Sequence, residues 1–302
     1  MNLYRKHRPT SLSEIVGNAE TTDILESKFK TPEKIPHQIL IVGPSGSGKT
    51  TLARLVASAL ECSKHDLYEI NMADARGIDT AREIIAKSVF KPMSGRVKVF
   101  INDEIQGATK DFFDAILKVT EDTPRHAYFI FCTTNPSKIP AALKNRCTIL
   151  TTQSLDENQI KSVMGRVIKL EKAKIPSQVL DQIAQDCMGS SRAALVILEK
   201  IMDLPEAKML AAAKQAAEQQ TEAINLCRAL MANKPWKEVA VILKTLTDEP
   251  ESVRRMVLGY FNSVLLNSGQ ARAAEIMGNF ADHYYDSGKA GLTLSCFISC
   301  KR

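Results

Sequence analysis

The stretch Gly43-Pro44-Ser45-Gly46-Ser47-Gly48-Lys49-Thr50 has the spacing GxxxxGKT, the pattern of a phosphate-binding loop. Glycines let such a loop turn so that backbone N–H groups converge on phosphate oxygens, and a helix N-terminus behind it adds partial positive charge. Lys49 is placed to neutralise β- and γ-phosphate charge. The Thr50 hydroxyl is placed to ligate Mg2+, which takes a few protein oxygens and leaves the rest to water and nucleotide phosphate. The expected ligands are ATP and Mg2+, held by residues 43–51, with Thr51 the last of them.

A second group of residues supplies acids. The apolar run 97–101 leads through Asn102 to Asp103 and Glu104. Acids at the carboxyl end of a strand stand where open α/β sheets collect their ligands. Beside a phosphate loop the pair divides its work. Asp103 holds the metal through water, and Glu104 orients or deprotonates the attacking water, so that ATP is hydrolysed and not merely stored.

These residues need a sheet to carry them. The first half of the chain alternates short β-rich apolar runs with helical patterns, which implies a parallel sheet covered by helices. The expected strands are 39–42, 67–71, 97–101, 127–132 and 148–151. The helix after the first strand carries Leu52, Leu55, Val56, Ala59 and Leu60 on one face, the stripe of a helix packed on a sheet. From Leu155 onward strand patterns vanish, and Pro205 ends a first helical block. The expectation is an α/β P-loop domain over residues 1–152, a small helical lid over 153–205, and an all-α domain over 206–302 with helices starting near Pro235 and Pro250.

Composition sets bounds on the rest. The 302 residues are 44% hydrophobic and 25% charged, ordinary for a globular chain, and no apolar run approaches the ~20 residues that cross a bilayer. The basic N-terminus lacks an apolar stretch behind it, so no secretory leader is expected and the expected compartment is the cytoplasm. Seven cysteines without a CxxC pair read as reduced core thiols. A net charge of +6 is compatible with a polyanionic partner without identifying one.

Around the two motifs, Tyr4-Arg5-x-x-Arg8-Pro9, Ile15-Val16-Gly17, Thr133-Thr134-Asn135 and Asn145-Arg146-Cys147 follow in order. With the P-loop and acid pair, this order resembles AAA+ clamp-loader subunits: bacterial DNA polymerase III gamma/tau, replication factor C small subunits and the bacteriophage clamp-loader ATPase. The resemblance runs from Tyr4 to about Leu198. Residues 96–146 look most like gamma/tau, and 74–79 more like replication factor C. The zinc module that gamma/tau carries has no counterpart here, and the short chain resembles a phage-type loader in a bacterial cytoplasm.

What the resemblance implies is specific. Val16, Tyr4 and Arg5 would line the adenine pocket, although Val16 also suits a core. Thr134 or Asn135 would be the sensor-1 residue on the γ-phosphate or attacking water. Arg146 would be an arginine finger reaching a neighbouring subunit's ATP, with Asn145 where the family has serine. Arg192, in Gly189-Ser190-Ser191-Arg192, would be sensor 2, carrying lid motion to the γ-phosphate. Gln106 replaces a histidine or aspartate common two residues after the catalytic acid.

The implied activity is opening a sliding clamp and closing it on primer-template DNA, within a hetero-oligomeric, pentameric assembly held together by the C-terminal domain as a collar. Arg76, Arg82 and Lys110 are the candidates for following DNA phosphates without reading bases, against a reading as solvated helix faces. Phe90 and Met93 either project as a clamp anchor or belong to the core. Two rival readings stand beside that activity. A branch-migration motor normally adds a winged-helix module after its lid, and no such pattern follows Pro205; a non-catalytic scaffold subunit would be expected to lose Lys49 or Glu104.

Overall fold

The computed structural model describes residues 2–220, 222–246 and 249–300. The chain opens with a single helical turn, α1 (Leu3–Lys6), followed by α2 (Ala19–Phe29). Strands and helices then alternate: β1 (Gln38–Val42), α3 (Lys49–Ala59), β2 (Leu67–Asn71), α4 (Ile78–Val89), β3 (Lys98–Asp103), α5 (Lys110–Glu121), β4 (Ala127–Thr133), α6 (Ala141–Lys144) and β5 (Thr148–Thr151). Helices alone follow: α7 (Glu157–Glu171), α8 (Ser177–Asp186), α9 (Ser191–Ile201), α10 (Glu206–Gln220), α11 (Glu222–Met231), α12 (Trp236–Thr245), α13 (Pro250–Ser268), α14 (Ala271–Asn279) and α15 (Gly288–Cys300).

Residues 7–155 form one compact unit around a five-stranded parallel sheet of order β2-β3-β4-β1-β5. Period-two alternation divides its side chains. Ile39, Ile41, Val99, Ile101, Ile130 and Leu150 face α2 and α3, whereas Leu40, Phe100, Phe129 and Phe131 face α4, α5 and α6. Both faces are covered, which is why the strands read as continuous apolar runs. The chain leaves β1 for the far edge at β2 and returns through β3 and β4 before β5 flanks β1 on its other side. That reversal beside β1 is the switch point at whose carboxyl end such sheets bind ligands.

The second compact unit contains residues 1–6 and 156–302. Its α7 starts with a full capping box, Asp156 accepting from the Gln159 N–H while Gln159 accepts from the Asp156 N–H. In this unit α10 packs on α8 and α9, α1 packs on α9, and Asp186 of α8 pairs with Arg228 of α11 at 2.6 Å. Among the described residues after Thr151 every regular element is helical. Among the described residues no helix is long and apolar enough to cross a membrane.

Candidate nucleotide and metal site

The loop between β1 and α3 is built by close approach. A Cβ on Gly43 would lie 2.0 Å from Thr152 Oγ1 and 2.4 Å from the Thr152 carbonyl oxygen, so only glycine fits. The Gly43 N–H donates to the Thr133 carbonyl at 3.1 Å, and the Thr152 N–H to the Val42 carbonyl at 2.7 Å, which ties the loop to the ends of β4 and β5. Gly48 takes φ 97°, a left-handed turn that starts α3. Ser47 Oγ donates to the Pro44 carbonyl at 2.8 Å and pairs with Thr152 Oγ1 at 2.7 Å. Pro44 and Ser45 are exposed at the loop tip, and Gly46 is half-buried.

Two side chains of the first helical turn point at this loop and at β3. Lys49 is only 5% exposed, with its ammonium on the Pro44 carbonyl at 2.9 Å. A buried cation folded back on its own loop suits a site built for an anion. Thr50 Oγ1 donates to Asp103 Oδ2 at 2.7 Å, bringing together the two oxygens expected at a metal. Thr51 follows, half-buried. The donor set, a hydroxyl and a carboxylate beside a glycine loop, fits Mg2+ held jointly with nucleotide phosphate.

Glu104 sits just beyond β3 in the left-handed region, φ 52° and ψ 41°, with its N–H on Asp103 Oδ1 at 3.0 Å. Its Oε2 accepts from the Gln106 amide and lies 3.5 Å from Thr134 Oγ1. The neighbouring Asn135 turns elsewhere: its Oδ1 accepts from the N–H and hydroxyl of Ser137 at 3.1 and 2.5 Å, capping the turn Pro136–Lys138. Thr134 thus faces the acid, and Asn135 serves its own loop. Gln106, which the sequence marks only as a departure, is the residue that joins them, and its 27-residue separation from Thr133 left no local signal.

The remaining candidates spread over both units. Val16 is half-buried, and its neighbour Ile15 packs on the core below the sheet. Arg146 follows α6, donating to the Ala142 carbonyl at 2.8 Å and to Glu121. The Cys147 thiol beside it is pushed up to about 12 by burial and stays protonated. Tyr4, Arg5 and Arg192 lie in the helical unit. There the Arg192 guanidinium stands 5.5 Å from the Tyr4 ring centroid and Arg5 Nε donates to the Tyr4 hydroxyl at 3.1 Å.

Arg76 and Lys110 are exposed and drawn together because the Thr109 N–H donates to the Arg76 carbonyl at 2.9 Å. Arg82 pairs with Asp79 at 3.1 Å on the exposed face of α4. Phe90 and Met93 are 68% and 78% exposed, which places them outside the core. Their loop is held from beneath. The Met93 and Ser94 N–H groups donate to Asp66 at 2.7 and 3.1 Å, and Lys98 and His126 bind the Lys87 and Ser88 carbonyls at the end of α4. Burial works to raise the Asp66 carboxyl. Those N–H donors, the Ser63 hydroxyl and Lys98 outweigh it and hold the group below its ordinary range.

Residues 39–155 match the AAA family, the ATPase family associated with various cellular activities. DNA polymerase III subunit gamma/tau of Mycoplasma pneumoniae is 31% identical over 232 residues, 70% of this chain and 34% of that protein. The tau subunit of Bacillus subtilis is 31% identical over 219 residues, 66% of this chain and 39% of that one. For the gamma subunit of Buchnera aphidicola the figures are 31% over 223 residues, 67% and 61%. The chain spans less than two thirds of the length of each of these relatives. In fold it is similar to the Thermotoga maritima RuvB Holliday junction branch migration motor, at 18% identity and a TM-score of 0.61, over 79% of this chain and 86% of that one.

Proposed function

The chain is an AAA+ ATPase of clamp-loader-like type, and from that premise we propose that it is an ATPase subunit of a DNA sliding-clamp loader, opening a clamp and placing it on primer-template DNA. The observation that carries the catalytic part is the junction of Thr50, Asp103 and Glu104 at the carboxyl end of the sheet. Bound Mg2+ would supply charge neutralisation on the β- and γ-phosphates. The chain's residues do the rest. The loop 43–51 binds phosphate through N–H groups and Lys49, while Thr50 and Asp103 hold the metal. Glu104 takes the proton of the attacking water. Thr134, turned toward Glu104, is assigned as sensor 1 in preference to Asn135.

Two arginines carry communication in this reading. Arg146 acts in trans on a neighbour's nucleotide and stabilises charge on the equatorial oxygens, worth ~10³–10⁵ in rate in comparable systems. Arg192 carries motion of a lid, residues 153–205, while residues 206–302 form a collar in a pentameric hetero-oligomer. Val16, half-buried beside Ile15, lines the adenine pocket. Arg76, Lys110 and Arg82 follow DNA phosphates, and Phe90 and Met93, exposed on a braced loop, anchor the clamp. ATP bound at interfaces holds the subunits around an open clamp, and loss of the γ-phosphate contacts releases it closed on DNA.

Glu104→Gln tests the catalytic assignment. It should leave ATP affinity within about twofold while turnover falls by ~10²-fold or more, the usual weight of a general base. Steady-state hydrolysis equal to the unaltered protein would refute it.

A further inference from the structure

Gln106 lies in the single turn Ile105–Gly107 that follows Glu104. Its carboxamide is engaged at both ends. The oxygen accepts the Thr133 hydroxyl at 2.7 Å and the Thr134 N–H at 3.3 Å. The nitrogen donates to Thr134 Oγ1 at 2.9 Å and to Glu104 Oε2. A backbone N–H can only donate, so the amide oxygen must face β4 and the amide nitrogen must face the carboxylate. The opposite orientation would set N–H against N–H and oxygen against oxygen.

We propose that Gln106 is the positioning residue that aims Glu104 at the attacking water. The acid leaves the strand on left-handed backbone, which a residue other than glycine adopts only where its surroundings enforce it. One carboxylate oxygen, Oε2, is held by the Gln106 amide, and Oε1 makes no hydrogen bond within the described residues. The amide anchors the first oxygen to the end of β4 and turns the second outward to accept the water's proton. A general base works only within hydrogen-bond reach of that proton, and a misplacement of ~1 Å can cost about 10²-fold. The same amide touches Thr134, so the base and the sensor-1 side chain are set by one group. Of the charged neighbours, Lys49 donates to the Pro44 carbonyl, and Asp103 accepts from the Thr50 hydroxyl and the Glu104 N–H.

This inference rests on Glu104 being the base, and the test separates the two. Steady-state and single-turnover hydrolysis in the assembled complex are compared for the unaltered protein, Glu104→Gln, Gln106→Met and Gln106→Glu. Gln106→Met keeps the side-chain volume and removes the amide, so the rate should fall about 10- to 100-fold while the KM for ATP stays within twofold. Gln106→Glu replaces the amide nitrogen with a carboxylate oxygen that cannot donate to Glu104 Oε2, so the rate should fall by a similar factor with the KM again within twofold. An unchanged rate in Gln106→Met and Gln106→Glu, or a loss that appears only as a raised KM, overturns the proposal. Full turnover in Glu104→Gln removes the base on which it rests.

Discussion

Gly43→Ala probes the phosphate loop through a contact 109 positions distant in sequence. The added Cβ would meet the Thr152 carbonyl oxygen at 2.4 Å and its Oγ1 at 2.0 Å, where ordinary van der Waals contact begins at 3.4 Å. The loop and the end of β5 must therefore part by roughly 1 Å, against an interior too densely packed to yield cheaply. Overpacking of this kind costs ~1–3 kcal/mol. The Thr152 N–H to Val42 bond at 2.7 Å and the Ser47–Thr152 bond at 2.7 Å lie in the path of the displacement, each worth ~0.5–1.5 kcal/mol net. The ATPase unit should melt roughly 10 °C lower in differential scanning calorimetry, at ~2–4 °C per kcal/mol. ATP affinity, read with a fluorescent analogue, should fall at least tenfold, since a displaced loop no longer aims its N–H groups. Adding Thr152→Ala should not rescue the variant, because the carbonyl clash remains. Gly165→Ala in α7, which meets nothing within 4 Å, is the control and should be unchanged or slightly more stable. Melting and affinity both unaltered in Gly43→Ala would refute the reasoning, and rescue by Thr152→Ala would show that only the hydroxyl matters.

Three other outcomes follow from different parts of the chain. Asn102 is fully buried with Oδ1 unpartnered, so Asn102→Leu should raise the urea midpoint of the ATPase unit by the equivalent of ~1–3 kcal/mol. In the helical unit Arg254, hydrogen-bonded at 2.7 and 2.8 Å, and the Tyr284 N–H hold the Glu251 carboxyl down from 4.5 to about 2. The resulting stability, roughly 3 kcal/mol, is present in full above the unfolded value and lost as pH falls through about 2, so the gap in urea midpoint between the unaltered protein and Glu251→Gln should close on acidification. Phe90→Ala should weaken clamp binding by ~1–3 kcal/mol in a titration while leaving melting temperature and ATP affinity in place, since an exposed side chain supports no core.

The sheet was legible because each strand is an apolar run of ordinary length between polar punctuation. The strands differ from the reading only at their ends: β1 starts at Gln38 and β3 at Lys98, while toward the site β3 runs to Asp103 and β4 to Thr133, polar residues that close the ladder without adding to the core. The loop, its lysine and the acid pair were legible from spacing alone. Side-chain partners across long separations were not. Nothing in the neighbourhood of Gly43 announces Thr152, and nothing near Phe90 announces Asp66, whose acidic side chain is buried where composition would place it at the surface. Thr134 and Asn135 were inseparable by type, since either is a short polar side chain. Their difference lies in which turn each one serves. The N-terminal turn Leu3–Lys6 packs with α9, a long-range contact that four residues of sequence carry no pattern for.

The most direct test of the loader reading is steady-state ATP hydrolysis by the chain assembled with its companion subunits, with and without primer-template DNA and the cognate clamp, and with Glu104→Gln as the blank. Joint stimulation by recessed-end DNA and clamp, abolished in Glu104→Gln, is the predicted result. Stimulation by branched or plain duplex DNA that ignores the clamp would contradict it and turn the assignment toward a DNA motor.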